Sequence, residues 1–452
     1  MLQVRDAACK GFYLWVKPGT RLNAARGGTK GFCAIAARWR YDIMAPDTAT
    51  QPTVSPTIVA SRRLQFRLTP RTTRLLGAVL LLGFAGFAWR VVPPVVRGAR
   101  GYYLAFSDFF AQWSFARFAR IGDAALIYQA DALHAFQLTL EPALRQTFPF
   151  PYPPSYLFAI WPLGWLPYGT AYLLWDGVTL ALFLWAVFGT HARSVMVWLV
   201  LLAPVTILAL IQGQNGLLTS ALLVGGMRLM GERPVLGGVL LGLATIKPQL
   251  GVLVPLALIG AGYWRTLAAA GMTAVLLAVA TGLVFGWEVW PAWLGQLAGH
   301  AEYLDRSVSN YLKPTIMANL VLFGVAVPVA HAIQACVGVT VAAIVWLCFR
   351  RGAGDLSIAA LQVGTFLAVP YVFRYDMPML ANGILLLVRN RQRTRRPVRL
   401  IEAGIIVLGL LAPAVTTLTT RFFYVDGVSL VVLFGLVVWW RMDEGRVDVG
   451  HP

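Results

Sequence analysis

Asp108 is the first residue whose type and setting could do chemistry. It follows Ser107 and precedes Phe109, Phe110, Trp113, Phe115, Arg117, Phe118 and Arg120. Phe110, Trp113 and Arg117 recur at helical spacing, which predicts a helix with Ser107 as its N-cap. A carboxylate in the first turn of that helix sits favourably against the positive end of the macrodipole, which would account for it structurally. The alternative is a general base, within reach of a hydroxyl proton and ionised at the working pH.

Four more places combine polar groups with rings or turns. Pro149-Phe150-Pro151-Tyr152-Pro153-Pro154 denies helix until Ser155. Tyr152 either belongs to that rigid segment or offers a ring for a sugar to stack on. Ile211-Gln212-Gly213-Gln214-Asn215-Gly216 reads as a tight turn, although the Gln214 and Asn215 amides could also hydrogen-bond sugar hydroxyls. Lys247-Pro248-Gln249 puts a cation at the end of an apolar run, either snorkelling to an interface or meeting an anionic group. Pro370-Tyr371-Val372-Phe373-Arg374-Tyr375-Asp376 holds a base and an acid, as a local turn pair or as part of a site. The stretch 288–327 carries His300, Glu302, Asp305, Arg306, Asn310, Tyr311 and Lys313, and His300 is expected at a surface rather than in a reaction.

The elements that position these residues are apolar. Of 452 residues, 58% are hydrophobic and 13% charged, with mean hydropathy +0.67. A soluble globular protein has about 25% charged residues, so an ordinary water-facing surface is excluded. Apolar runs fall at 75–92, 170–190, 194–211, 216–231, 234–246, 248–263, 267–287, 328–349, 355–371, 376–388, 400–418 and 427–441. Set against the roughly 20 residues a crossing needs, they predict an all-α polytopic transmembrane helical bundle of about 12 spans. Outer-face loops are expected to carry interfacial helices. The helix at Asp108 would be one, with its rings at headgroup level and its arginines toward water or phosphate. The piece 154–167 contains Pro162 and Pro167 and is expected to re-enter rather than cross.

Charge sets the orientation. The net charge is +19; residues 1–74 hold 13 basic and 3 acidic side chains, and 389–399 adds six arginines. Under the positive-inside rule both clusters face the cytoplasm. The expected layout is a basic cytoplasmic leader at 1–74, a membrane domain at 75–441 and a cytoplasmic tail at 442–452. Translation is expected to start at Met44. Both termini lie inside a bacterial-type inner membrane, and the polar motifs share its outer face. A carboxylate, a lysine, an arginine, amides and rings around an outer-leaflet cavity suit a lipid-phosphate-linked substrate with hydroxylated groups.

Nucleic-acid binding would want basic residues interleaved with stacking aromatics on a folded surface, which this charge pattern does not offer. The four cysteines have no CxxC or His/Cys spacing for a metal. A transporter or lipid-linked-sugar flippase is the rival reading. It would place ionisable groups near mid-membrane and repeat its halves; Asp176 and Arg228 are the main such groups within spans, and no internal repeat at fixed spacing is visible.

Ser107-Asp108-Phe109 with Trp113 and Ala116-Arg117 resembles the start of family 87 glycosyltransferases. So do Tyr152-Pro153-Pro154 with Pro162-Leu163, Gly213-Gln214-Asn215, Gly242-Leu243-Ala244 with Lys247-Pro248-Gln249, and Tyr375-Asp376, in the expected order over about 75–440. The resemblance implies a GT-C type membrane hexosyltransferase, a mannosyltransferase above all. Its donor would be a polyprenyl-phosphate hexose, and its acceptor a lipid or glycan. Asp108 matches the acid of the first outer loop, which implies a base in an inverting single displacement. Lys247 or Arg374 would stabilise the leaving phosphate, with Arg117 a lesser candidate, so no metal or other cofactor is required. Gln214, Asn215, Tyr152 and Asp376 would contact substrate, and His300 could fill the role of a histidine in a later outer loop of related enzymes.

Overall fold

The computed structural model describes residues 108–189, 195–306, 308–418 and 425–447. The leader, the expected span at 75–92 and the Ser107 cap lie outside them. Among the described residues every regular element is helical.

The chain begins with α1 (Asp108–Ile121) and α2 (Ala130–Leu140). The aromatic rings of α1 do not face outward. Phe109, Phe110, Trp113, Phe115 and Phe118 are all buried in protein, and Phe115 meets Phe150 edge-on at 5.0 Å. These apolar residues lie all round the helix, so protein must cover every side of it. After the proline segment come three short turns, Pro154–Tyr156, Leu157–Ile160 and Trp161–Trp165, none longer than five residues. With α1 they build one aromatic core around Phe109, Phe110, Phe150 and Tyr156.

Next are α3 (Tyr168–Phe188), α4 (Val195–Leu201), α5 (Pro204–Gln212), α6 (Gly216–Leu229), α7 (Pro234–Leu243) and α8 (Val254–Ala261). The remainder are α9 (Trp264–Phe285), α10 (Val289–Arg306), α11 (Ile316–Leu322), α12 (Val327–Arg350), α13 (Asp355–Ala368), α14 (Pro378–Thr394), α15 (Leu400–Leu418) and α16 (Asp426–Val447). Only α3, α9, α12 and α15, among the described residues, are long and apolar enough to cross a membrane. About twelve crossings are therefore not confirmed among the described residues. The run expected at 194–211 is broken into α4 and α5 at Pro204, and those at 234–246 and 248–263 shrink to α7 and α8 around Pro248. Each proline removes a backbone donor and ends the helix before it.

The exposed faces are apolar. Met272, Val275, Leu276 and Leu283 of α9 point outward, as do Leu173, Leu174 and Val178 of α3. Water would oppose such faces, and a bilayer would not. Helices α13, α14 and α16 instead bury most of their side chains in a second core that includes Leu361, Phe366, Leu387 and Trp440.

These helices also separate two charged ends. At one, Arg393 meets Asp355 at 2.8 Å, Arg396 meets Asp443, and Arg441 caps the end of α12 at the Arg351 and Gly352 carbonyls. At the other lie Arg374, Asp376 and Asp426, at the opposite termini of the same helices. At about 1.5 Å per residue, the arginine cluster and the acidic end are thus a helix length apart.

Candidate active site

The turn between α5 and α6 is built from glycine at both ends. Gly213 has φ +60° and caps α5 in the left-handed conformation. Gly216 lies against the backbone before α14, where an added Cβ would sit 1.7 Å from the Tyr375 carbonyl oxygen. Gly216→Ala is accordingly expected to destabilise the protein by about 3 kcal/mol, the upper end for overpacking, read as an earlier unfolding transition in detergent. The tight-turn reading thus explains the glycines, but not the buried Gln214 and Asn215 side chains between them.

Those side chains meet Lys247. A residue before proline avoids the helical region, so Lys247 stands at a corner between two 3-10 turns (φ −140°, ψ 74°). Its Nζ donates to Asp376 Oδ1 at 2.5 Å and to Asn215 Oδ1 at 3.1 Å, and it faces the rings of Tyr375 and Tyr152 at 5.2 and 5.6 Å. Asp376 Oδ2 accepts the Phe373 backbone N–H. Asn215 Nδ2 is buried beside the Tyr152 and Tyr156 hydroxyls, with no acceptor at hydrogen-bond distance among the described residues.

Asp108 joins through an amide relay. Tyr156 OH donates to Gln112 Oε1 at 2.7 Å, Gln112 Nε2 donates to Gln214 Oε1 at 3.1 Å, and Tyr152 OH donates to the same oxygen at 3.3 Å. With its oxygen occupied twice, Gln214 turns its NH₂ to Asp108, which it hydrogen-bonds. The half-buried Asp108 carboxyl is pushed up to about 6 by desolvation, against the Gln214 bond and the Lys247 charge, which favour ionisation. Burial raises the Tyr152, Tyr156 and Tyr375 hydroxyls well above their usual range, so they stay protonated donors.

Arg374 and Asp376 do not pair with each other. Arg374 Nε bonds Asp426 Oδ2 at 2.5 Å and its NH2 reaches the Tyr311 carbonyl, while Asp376 takes Lys247. Thr416 OH donates to the other Asp426 oxygen. Arg117 lies over the Trp113 ring at 4.6 Å rather than in the relay. His300 is half-buried, and burial together with the nearby Lys313 charge lowers its pKa. Asp176 lies half-buried in α3, and Arg228 lies over Trp185 in the last turn of α6.

The family model of glycosyltransferase family 87 matches residues 150–371. This segment carries the family 87 pattern. No curated protein and no solved structure matches it. The family 87 segment contains Tyr152, Gln214, Asn215, Lys247 and His300; Asp108, Arg117, Arg374 and Asp376 lie outside it. A membrane glycosyltransferase is what the family and the apolar helix faces together establish.

Sequence reading missed three parts of this end of the fold. Gln112 lies one turn after Asp108, a buried amide among aromatic residues, and that contrast was its signal. Asp426 heads an apolar helix, as functional acids in membrane segments often do. His331 Nε2 lies 3.1 Å from both Asp305 oxygens, and Tyr371 OH donates to Asp305 at 2.9 Å. Nothing in the spacing of Asp305, His331 and Tyr371 announces that they meet.

Proposed function

We propose that this membrane glycosyltransferase moves a hexose, mannose first among them, from a polyprenyl-phosphate donor to a hydroxyl of a lipid or glycan acceptor at the outer face. What carries the reading is the Asp108 carboxyl, hydrogen-bonded by Gln214 beside Lys247 and joined to the family 87 segment. The acceptor hydroxyl gives its proton to Asp108 as its oxygen attacks the anomeric carbon. The bond from that carbon to the phosphate oxygen breaks, its electron pair leaves on polyprenyl phosphate, and the configuration inverts. The unmet Asn215 Nδ2 is a donor for a sugar oxygen, and Tyr152 stands beside it. Lys247 and Arg374 bring fixed positive charge to the leaving group, although each is already balanced by a carboxylate.

The test is transfer of label from radioactive polyprenyl-phosphate mannose into the host's lipid extract by purified protein in bilayers. Transfer with a mannosyl, glucosyl or galactosyl donor supports the reading; none with any of the three refutes it. The rate should also follow the ionised fraction of Asp108, because only the carboxylate accepts a proton. With its pKa near 6, the rate should fall about tenfold per pH unit below that value and level off above it. A rate independent of pH between 4.5 and 7 would take Asp108 out of the base role.

A further inference from the structure

We propose that Lys313, facing the rings of Tyr371 and Phe373, binds the single phosphate of a lipid substrate. The inference rests on the transfer reading above and supplies a charge that reading lacks. A leaving lipid phosphate needs positive charge not already neutralised. Lys247 is paired with Asp376 and Arg374 with Asp426, all four buried, so both are internally balanced. Lys313 is as buried, at 2% exposure, yet among the described residues it donates only to neutral oxygens, Leu304 O and Asn310 Oδ1, both at 2.7 Å.

An ammonium has three donors, and those two bonds leave one. The rings of Tyr371 and Phe373 lie 5.6 and 5.9 Å away. Asp305, the carboxylate that acts on Lys313 electrostatically, spends its oxygens on His331 and Tyr371 instead. His300, on α10, is itself disfavoured as a cation by Lys313, so it does not neutralise the ammonium. Burial lowers Lys313 to about 8, opposed by Asp305, so it remains charged at pH 7 and titrates close above.

The subsite is continuous with the relay. Phe373 and Tyr375 stack at 5.2 Å and 7°; Lys313 faces Phe373 and Lys247 faces Tyr375. Two lysines thus flank one ring pair, with only Lys247 tied to an acid. A purely structural role is also on the page, because Leu304 belongs to the last turn of α10 and a lysine there caps a carbonyl. Glutamine can donate to that carbonyl but carries no charge, so Lys313→Gln separates the two roles.

Wild type, Lys313→Gln and Lys313→Arg would be placed in phosphatidylcholine nanodiscs. Binding of polyprenyl phosphate, and separately of phosphatidic acid, would be measured by native mass spectrometry, with melting temperature followed in parallel. Loss of a charged hydrogen bond should weaken lipid-phosphate binding by about 10–100-fold in Lys313→Gln, with melting unchanged and binding largely retained in Lys313→Arg. Wild-type affinity should fall as pH rises through 8, whereas that of the arginine variant should not. Stronger binding of polyprenyl phosphate assigns the donor, stronger binding of phosphatidic acid a phospholipid acceptor, and either supports the subsite. Binding by Lys313→Gln within threefold of wild type, or no wild-type binding of either lipid, overturns it. Sugar transfer with unchanged Lys313→Gln binding would sink the subsite alone; Lys313-dependent binding without transfer from any donor would sink the transfer reading alone.

Discussion

Asp108→Asn is expected to lower sugar transfer by about 10²–10⁴-fold, the usual contribution of a general base. The substitution keeps the size of the side chain and an oxygen that can accept from Gln214. What it removes is the ability to take a proton. Thermal stability should hold or rise, because the protein around Asp108 already disfavours its charge, raising its pKa to about 6. The alternative role, a charge at the positive end of α1, predicts the reverse: activity intact and a stability loss of about 0.3–1 kcal/mol. Parallel assays of transfer and unfolding decide between them. An asparagine variant that keeps a tenth of the wild-type rate is not missing its base.

The second large effect concerns the Lys247–Asp376 pair. Its members are almost fully buried and 2.5 Å apart. Removing one partner of such a pair leaves a charge with neither water nor counter-ion, at a cost of about 3–5 kcal/mol. Lys247→Met and Asp376→Asn should each approach that loss, measured by unfolding in mixed micelles. The double variant should regain most of it, since an uncharged pair has little to desolvate. Activity should not return with stability, because Lys247 also holds Asn215 and faces Tyr152. Losses that simply add in the double variant would mean that the two charges do not interact across the site.

Local chemistry made several features legible without a structure. Proline at 204 and 248 and glycine at 213 interrupt apolar runs wherever those runs lie, because missing donors and positive φ are properties of single residues. The polar motifs were accordingly found as corners between helices. Proline also explains why several apolar runs do not appear as single long helices: hydropathy alone does not register where a run is cut into α4 and α5.

Charge partners were not legible. Arg374 and Asp376 are two residues apart and looked like a pair, yet each is held by a partner far along the chain: Asp426, 52 residues away, and Lys247, 129 away. The α1 rings were misplaced for a related reason. A helix apolar on every side carries no polar stripe to mark which face meets lipid and which meets protein.

The sequence by itself determined an all-helical membrane protein, the family of its central segment, and the short polar breaks at Gln214, Lys247 and Asp376, because composition and backbone breaks act locally. Only the tertiary structure decided that these breaks converge with Asp108 and Gln112, and that Lys247 and Arg374 each bond a carboxylate directly while Lys313, among the described residues, bonds neutral oxygens. Those are distances between side chains on different helices, and they exist only once the helices have packed.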